Sequence, residues 1–406
     1  MPTRRRLLLA AGALGAGAAG AAAWWALRER DVPPPARRID PEVDLGFYRR
    51  LGRTGLRVSA VGVGAGGLSG PGIVVRAVDS GINYIDTSVC YGDSELVIRD
   101  ALRMRPDLRD KLIIATKWDA DQHMSKERIL SSLDKSLERL GVERIDIMQI
   151  HWLGGGHVHD DTGYNRLDNP ALYEAMKEAK ERGKVRFFGA TSHDEKRAPI
   201  LERAIDKGMF DMLLVKMNLL DFEEAGVDEL LEKARKADVG VVIMKSQPGG
   251  NEMPPGFEGS RWSVYQANLR WVLSKEVACV VESKIGSDAE HQDAAIDAAR
   301  SELSAADQEL LEVYARAMSP HYCRGCDSIC GAACPESIAI APVLQFSMYD
   351  RAYGWHERAR VHYRALERRW SERCASCNAC SDACPYGVDA ADGVRKARRL
   401  EIDERS

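Results

Sequence analysis

The chain has almost no net charge for its size. Its 57 Lys and Arg stand against 61 Asp and Glu, a formal −4 over 406 residues. That balance does not suggest a nucleic-acid partner. Cysteine is scarce outside two short stretches. Of ten cysteines, eight lie after position 320, leaving Cys90 and Cys279 alone; these two read as buried core thiols. A disulfide framework would spread through the fold, so tight clustering reads as metal. No G-x-G-x-x-G follows an early strand and opens a helix. Gly62, Gly64, Gly66 and Gly67 come close, but Ser69-Gly70-Pro71-Gly72 continues the loop. This absence disfavours an open doubly wound sheet. No internal sequence repeat is visible.

What is present is alternation. Apolar runs at 58–64, 84–87, 112–118, 145–152, 185–191, 212–218, 239–245 and 277–285 read as buried strands. Helical patterns such as 126–140, 172–182 and 228–237 lie between them. Eight short strands separated by helices, with another helix after the last, predict a (β/α)₈ TIM barrel over 47–318. A small ferredoxin-like iron–sulfur domain is expected over 319–394, then a basic tail over 395–406.

The cysteines carry that second expectation. The first run is Cys323-x₂-Cys326-x₃-Cys330-x₃-Cys334-Pro335, and the second is Cys374-x₂-Cys377-x₂-Cys380-x₃-Cys384-Pro385. Thiolates are the ligands iron clusters require, and three close cysteines let one loop wrap a cubane corner. The second run matches the bacterial ferredoxin pattern in full; the first has one extra residue, between Cys326 and Cys330. In two-cluster ferredoxins the fourth cysteine of each run serves the other cluster. By that rule one [4Fe-4S] cluster takes Cys323, Cys326, Cys330 and Cys384, and the other takes Cys374, Cys377, Cys380 and Cys334. Structural zinc is the alternative, although zinc sites usually present paired C-x₂-C motifs.

Residues 1–30 read as an export signal or an anchor. Thr3-Arg4-Arg5-Arg6-Leu7-Leu8 opens a stretch, 7–27, without charge, and Ala21-Ala22-Ala23 offers a cleavage site. The paired arginines resemble a twin-arginine (Tat) signal. That route carries folded proteins, which suits clusters built before export. A Sec signal or a membrane anchor is the alternative. A stiff Pro-rich linker, 31–46, follows. The expected location is the periplasm or the outer face of the cytoplasmic membrane, with membrane contact only through this segment if it stays uncleaved.

Four polar residues fall at the C-terminal ends of the early strands, where barrels place their chemistry. They are Asp86, Tyr91, Lys117 and His151, in the contexts Asn83-Tyr84-Ile85-Asp86-Thr87, Tyr91-Gly92, Thr116-Lys117-Trp118 and Gln149-Ile150-His151-Trp152. With the opening Arg50-Leu51-Gly52-Arg53-Thr54-Gly55-Leu56-Arg57-Val58-Ser59, they resemble the aldo/keto reductase family, in the branch with a C-terminal ferredoxin-type domain. The resemblance implies that Tyr91 gives a proton to a nascent alkoxide. A neighbouring Lys117 ammonium favours the phenolate, Asp86 holds Lys117, and His151 orients the carbonyl. It also implies NADP(H), with Ser192 and His193 at the nicotinamide and Lys284, Ser287 and His291 at the 2′-phosphate. Two expected contacts are replaced, however, by Leu214 on strand six and Met244-Lys245 after strand seven. The long loop 154–169, with His157, His159, Asp160 and Asp161, reads as a lid, a metal site being the alternative.

The leading reading is thus an exported oxidoreductase acting on a small carbonyl or hydroxyl substrate, with an electron-transfer partner yet to be identified. An electron-transfer subunit whose barrel only docks a partner is the second. A protein stapled by its clusters is the third. Nucleotide binding is the observation that would separate them.

Overall fold

The computed structural model describes residues 46–118, 123–154, 165–222, 226–250 and 252–402. The signal, the linker up to residue 45, and His157, His159, Asp160 and Asp161 lie outside the described residues. Among the described residues no helix is long and apolar enough to cross a membrane.

A short antiparallel hairpin, β1 (Tyr48–Arg50) and β2 (Arg57–Ser59), precedes the barrel. Eight parallel strands then close on themselves: β3 (Val61–Gly64), β4 (Tyr84–Asp86), β5 (Ile113–Trp118), β6 (Ile145–Ile150), β7 (Val185–Ser192), β8 (Met212–Lys216), β9 (Gly240–Met244) and β10 (Cys279–Glu282). The helices around them are α1 (Pro71–Asp79), α2 (Ser94–Met104), α3 (Lys126–Leu140), α4 (Pro170–Glu181), α5 (Arg197–Asp206), α6 (Val227–Lys236), α7 (Arg261–Leu273) and α8 (Ala289–Ala299), with α9 (Ala305–Met318) closing the domain. Helix α3 shows why such segments form. Ser125 caps it by accepting from Arg128 N, Gly141 ends it in the left-handed region, and Ile129, Leu133, Ser136 and Leu140 share its buried face.

The first expected strand, 58–64, is two strands in the structure. Ala60 N donates to Phe47 O at 2.8 Å, so the chain turns between β2 and β3. The reason is packing. Leu51 and Val58 of the hairpin join Tyr84, Ala115, Ile147 and Met212 in the lumen, plugging the N-terminal end of the barrel. Strand side chains alternate in and out. Inward positions are therefore apolar low in the barrel and polar at its C-terminal rim, where Asp86, Lys117, Gln149 and Thr191 follow Tyr84, Ala115, Ile147 and Gly189 at a spacing of two.

The C-terminal domain is helical throughout its described residues, with α10 (Asp327–Ala333), α11 (Ile340–Tyr353), α12 (His356–Ala365), α13 (Ala379–Asp382) and α14 (Ala390–Ala397). Its core gathers Val343, Phe346, Ala359, Tyr363, Val394 and Ala397. Residues 395–401, read as a basic tail, instead complete this core: α14 runs to Ala397, Leu400 is buried, and Arg399 pairs with Asp350 at 2.9 Å.

The plug makes a test. Gly52 has φ +48°, and a Cβ there would stand 2.2 Å from Gly240 N and 2.7 Å from Asp238 O, both backbone atoms. Gly52→Ala should therefore cost about 1–3 kcal/mol or more, from strain and overpacking together. A lowered midpoint in denaturant with an unchanged slope would register it.

Candidate active site and cluster cavities

The polar rim is one hydrogen-bonded chain. Lys117 Nζ donates to Asp86 Oδ1 and, at 2.7 Å, to Thr87 O. Asp86 Oδ2 accepts from Gln149 Nε2 at 2.7 Å, and Gln149 Oε1 accepts from Thr191 Oγ1 at 3.0 Å. The Lys117 side chain has 0% exposure and that of Asp86 5%. Burial alone would lower the Lys117 ammonium, but Asp86 and Tyr91 outweigh it and hold the lysine above its ordinary value. Tyr91 sits in the turn after β4, its N donating to Ser88 O at 3.0 Å. The Lys117 ammonium lies 4.8 Å from the centre of its ring. The His151 ring is edge-on to Tyr91 at 6.1 Å, and its Nδ1 lies 3.5 Å from Ser88 Oγ. The structure thus brings Asp86, Tyr91, Lys117 and His151 together. Sequence reasoning missed Gln149 and Thr191, although Gln149 stands two residues before His151 and so shares its inward face. Cys279 is buried in the lumen as expected, whereas Cys90, beside Tyr91, is only half-buried.

The mouth above this chain is not open. Tyr349, Tyr353, Trp355 and Arg358 of the C-terminal domain line the same cavity as Asp86, Tyr91 and His193. The Trp355 indole lies so close to β3's exit that a Cβ on Gly66 would stand 3.2 Å from it. Lys245, just past β9, carries three rings over its ammonium: Tyr349 at 4.8 Å, Tyr353 at 4.5 Å and Trp355 at 5.4 Å. Two bulky residues leave their strands in the left-handed region, Trp152 at φ 54° and Lys245 at φ 61°, and both line this cavity. Such backbone is costly and concentrates at functional sites. Burial lifts the Glu282 carboxyl to about 7, Ser246 and Lys245 opposing it. Burial, helped by Arg358, brings Lys245 down to about 7.

NADP(H) does not fit this mouth. The cavity left is about 60 Å³, against the roughly 300 Å³ or more of ordinary ligand pockets. Ser192 is buried, its Oγ donating to Leu153 O at 2.7 Å, so of the two expected nicotinamide residues only His193 reaches the cavity. Lys284, Ser287 and His291 do lie together at the start of α8. His291, however, is packed between Trp262 (4.7 Å) and Tyr265 (5.2 Å), with Arg261 3.0 Å from Nε2 and Asp288 3.1 Å from Nδ1. Burial pushes its imidazole down to about 4.

The cysteines converge across the two runs. One cavity is lined by Cys334, Cys374, Cys377 and Cys380, with Ile338, Ile340 and Val394 as its apolar wall. Cys384 is within electrostatic reach of Cys323 and Cys326, and Cys330 lies beside that pair. Burial pushes the Cys323 thiol up to about 11, so a bound cation is what would keep it a thiolate at neutral pH. Among the described residues no three Cys, His, Asp or Glu side chains close on a single ion. Thiols spread around a cavity suit a polynuclear cluster better.

Known proteins match the two halves separately. Residues 72–250 match the aldo/keto reductase family, and residues 322–388 match the 4Fe-4S dicluster domain. L-galactose dehydrogenase of Arabidopsis thaliana is 36% identical over 35% of this chain and 47% of its own length. The oxidoreductase YqkF of Bacillus subtilis is 31% identical over 43% of this chain and 56% of its own. The chain thus spans about half the length of these curated relatives. Among solved structures, a thermostable aldo-keto reductase in complex with the inhibitor epalrestat is 26% identical, with TM-score 0.51, covering 66% of this chain and 99% of that one. The chain is therefore similar to the aldo/keto reductase family over residues 72–250 and to the 4Fe-4S dicluster domain over residues 322–388.

Proposed function

We propose that the chain is an exported iron–sulfur oxidoreductase of aldo/keto reductase type, interconverting a carbonyl and a hydroxyl at the barrel mouth with Tyr91 as the proton donor. The observation that carries this reading is the buried chain from Thr191 through Gln149 and Asp86 to Lys117, which ends beneath the Tyr91 ring. When bound, two [4Fe-4S] clusters would pass electrons one at a time between the site and a partner outside the chain, and reduction of the carbonyl would take up two electrons and two protons, one at oxygen from Tyr91 and one at carbon from water. The chain's own residues do the rest. Tyr91 protonates the developing alkoxide, and the Lys117 ammonium stabilises the phenolate left behind. Asp86 keeps that ammonium charged in a buried place, and His151 orients the carbonyl by a hydrogen bond to its oxygen. Trp355 and Arg358 cover the site and keep bulk water from it. The paired Arg4 and Arg5 ahead of an uncharged stretch support export.

Tyr91→Phe should keep the iron content and lower turnover roughly 10²–10⁴-fold, the usual scale for removing a general acid. Lys117→Met should do similar harm, and the double variant should be little worse than either single one, because both act on one proton transfer. A panel of small aldehydes and ketones with an artificial electron donor is the assay. Turnover by Tyr91→Phe at the wild-type rate would leave the electron-transfer subunit as the better reading.

Anaerobically purified protein should hold about eight iron and eight sulfide per chain. Cys334→Ser should perturb the cluster of Cys374, Cys377 and Cys380 and spare the other, as resolved by paramagnetic resonance of the reduced protein. Damage confined to the cluster of its own run would refute the cross-ligation.

A fusion of residues 1–35 to a reporter that must fold before export should reach the periplasm. Lys at positions 4 and 5, with Arg6 removed, should retain it in the cytoplasm. Unchanged export of that variant would assign the segment to Sec or to an anchor.

A further inference from the structure

The cavity at the barrel mouth carries cations that nothing in the protein neutralises fully. Asp86 is committed to Lys117 and Gln149 below it. Glu282, the other carboxylate of the lining, accepts from Ser246, and burial brings both it and Lys245 to about 7, so this pair leaves Arg358 without a full counter-ion. Against these stand Lys245, roofed by Tyr349, Tyr353 and Trp355, and Arg358. Arg358 lies on the first turn of α12, with its guanidinium 5.2 Å from the ring centre of Tyr91 and 5.2 Å from that of Trp355. Among the described residues no carboxylate pairs with it, although exposed arginines elsewhere in the domain pair readily, as Arg369 does with Glu401. The guanidinium thus lies near two rings, and its fork of N–H donors matches a planar, two-oxygen acceptor.

We propose that the mouth takes a small compound bearing a carboxylate next to its carbonyl or hydroxyl, with Arg358 and Lys245 holding the carboxylate while the reacting oxygen faces Tyr91. The proposal rests on the reading of Tyr91 as proton donor, and it names the substrate class of that same site. Two physical reasons select a carboxylate. Lys245 and Arg358 lie 5.4 Å and 5.2 Å from the centre of one ring, that of Trp355, so an uncharged ligand would leave Arg358 without a counter-ion in a half-dry place. The cavity is small, about 60 Å³ against the roughly 300 Å³ or more of ordinary ligand pockets, which favours a small acid over a bulky one. It follows that the site is split between domains: the barrel supplies the proton and Lys245, and the C-terminal domain supplies Arg358.

The experiment is calorimetric binding to the cluster-loaded full chain, with pyruvate, glyoxylate and lactate as probes and methyl pyruvate and acetone as uncharged controls. The wild type should bind at least one of the acids saturably, and more tightly than either control. Arg358→Gln should weaken that acid roughly ten- to hundred-fold, the scale of a lost charged hydrogen bond, and leave the controls unchanged. Arg358→Lys should restore part of the loss. Lys245→Met, an apolar chain of similar length beneath the same rings, should also weaken the acid. Iron content and melting temperature identify any variant that has failed to fold. Binding of the acids by Arg358→Gln as tightly as by the wild type, or equal wild-type affinity for pyruvate and methyl pyruvate, would overturn the proposal, as would no saturable acid at all. These readouts need no turnover. An acid bound through Arg358 while Tyr91→Phe loses no activity would keep this site and remove the proton-donor reading, and the converse result would do the opposite.

Discussion

A lysine side chain without exposed surface is tolerable only beside an anion, because an unpaired charge in a dry place costs several kcal/mol. Lys117 meets that condition through Asp86, and Asp86 spends its second oxygen on Gln149. Three successive strands are thereby locked at one height. A slip of one residue in β5 would turn Lys117 out of the lumen and leave Asp86 buried alone. The backbone register agrees, with Asp86 opposite Ala115 and Lys117 opposite Gln149. The same bonds that fix the barrel also aim an ammonium at Tyr91, so structure and chemistry share one set of side chains.

The rim then determines how the second domain sits. Trp152 and Lys245 leave their strands through left-handed backbone, and that lifts Lys245 into the mouth. An ammonium there, with burial lowering its pKa, gains from aromatic faces. Tyr349, Tyr353 and Trp355 provide them from α11 and the turn after it. Gly66 and Gly67 leave room for the indole on the opposite wall, and Gly250 leaves room for Tyr353. The docking is thus a match between a cation and small residues on the barrel and aromatics on the iron–sulfur domain. It also explains why the mouth has no room for a dinucleotide.

Much of this was legible in the sequence. Their places at the C-terminal ends of successive strands marked Asp86, Lys117 and His151, and the cysteine spacing announced the cluster domain. What could not be read was contact between distant segments. Nothing local marks Trp355 as a neighbour of Gly66, or Arg358 as a neighbour of Tyr91; both contacts arise only when the two domains meet. The split of the first strand at Ala60 was hidden for a similar reason, since apolar residues on a plug and on a strand look alike. His291 looked like a ligand because the resemblance implies one there, and the rings of Trp262 and Tyr265, which make it a packing residue, come from a different helix.

Helix α11 links all three centres. Ile340, at its start, forms part of the wall of the cavity holding Cys334, Cys374, Cys377 and Cys380. Leu344, Gln345 and Met348, in its middle, line a second cavity with Cys323. Tyr349 and Tyr353, at its end, close the barrel mouth. Fourteen helical residues span about 21 Å, which sets Ile340 apart from Tyr353. A rod has no hinge, and α11 is buried along much of its length, including Ile340, Val343, Phe346 and Tyr349. Its length therefore fixes the spacing between the cavity of Cys334, Cys374, Cys377 and Cys380 and the barrel mouth. Arg358, proposed to hold the substrate's acid group, and α11 belong to the same helical hairpin. A barrel separated from that hairpin would keep Tyr91, Lys117 and Lys245 but lose Arg358 and the aromatic cover of its mouth.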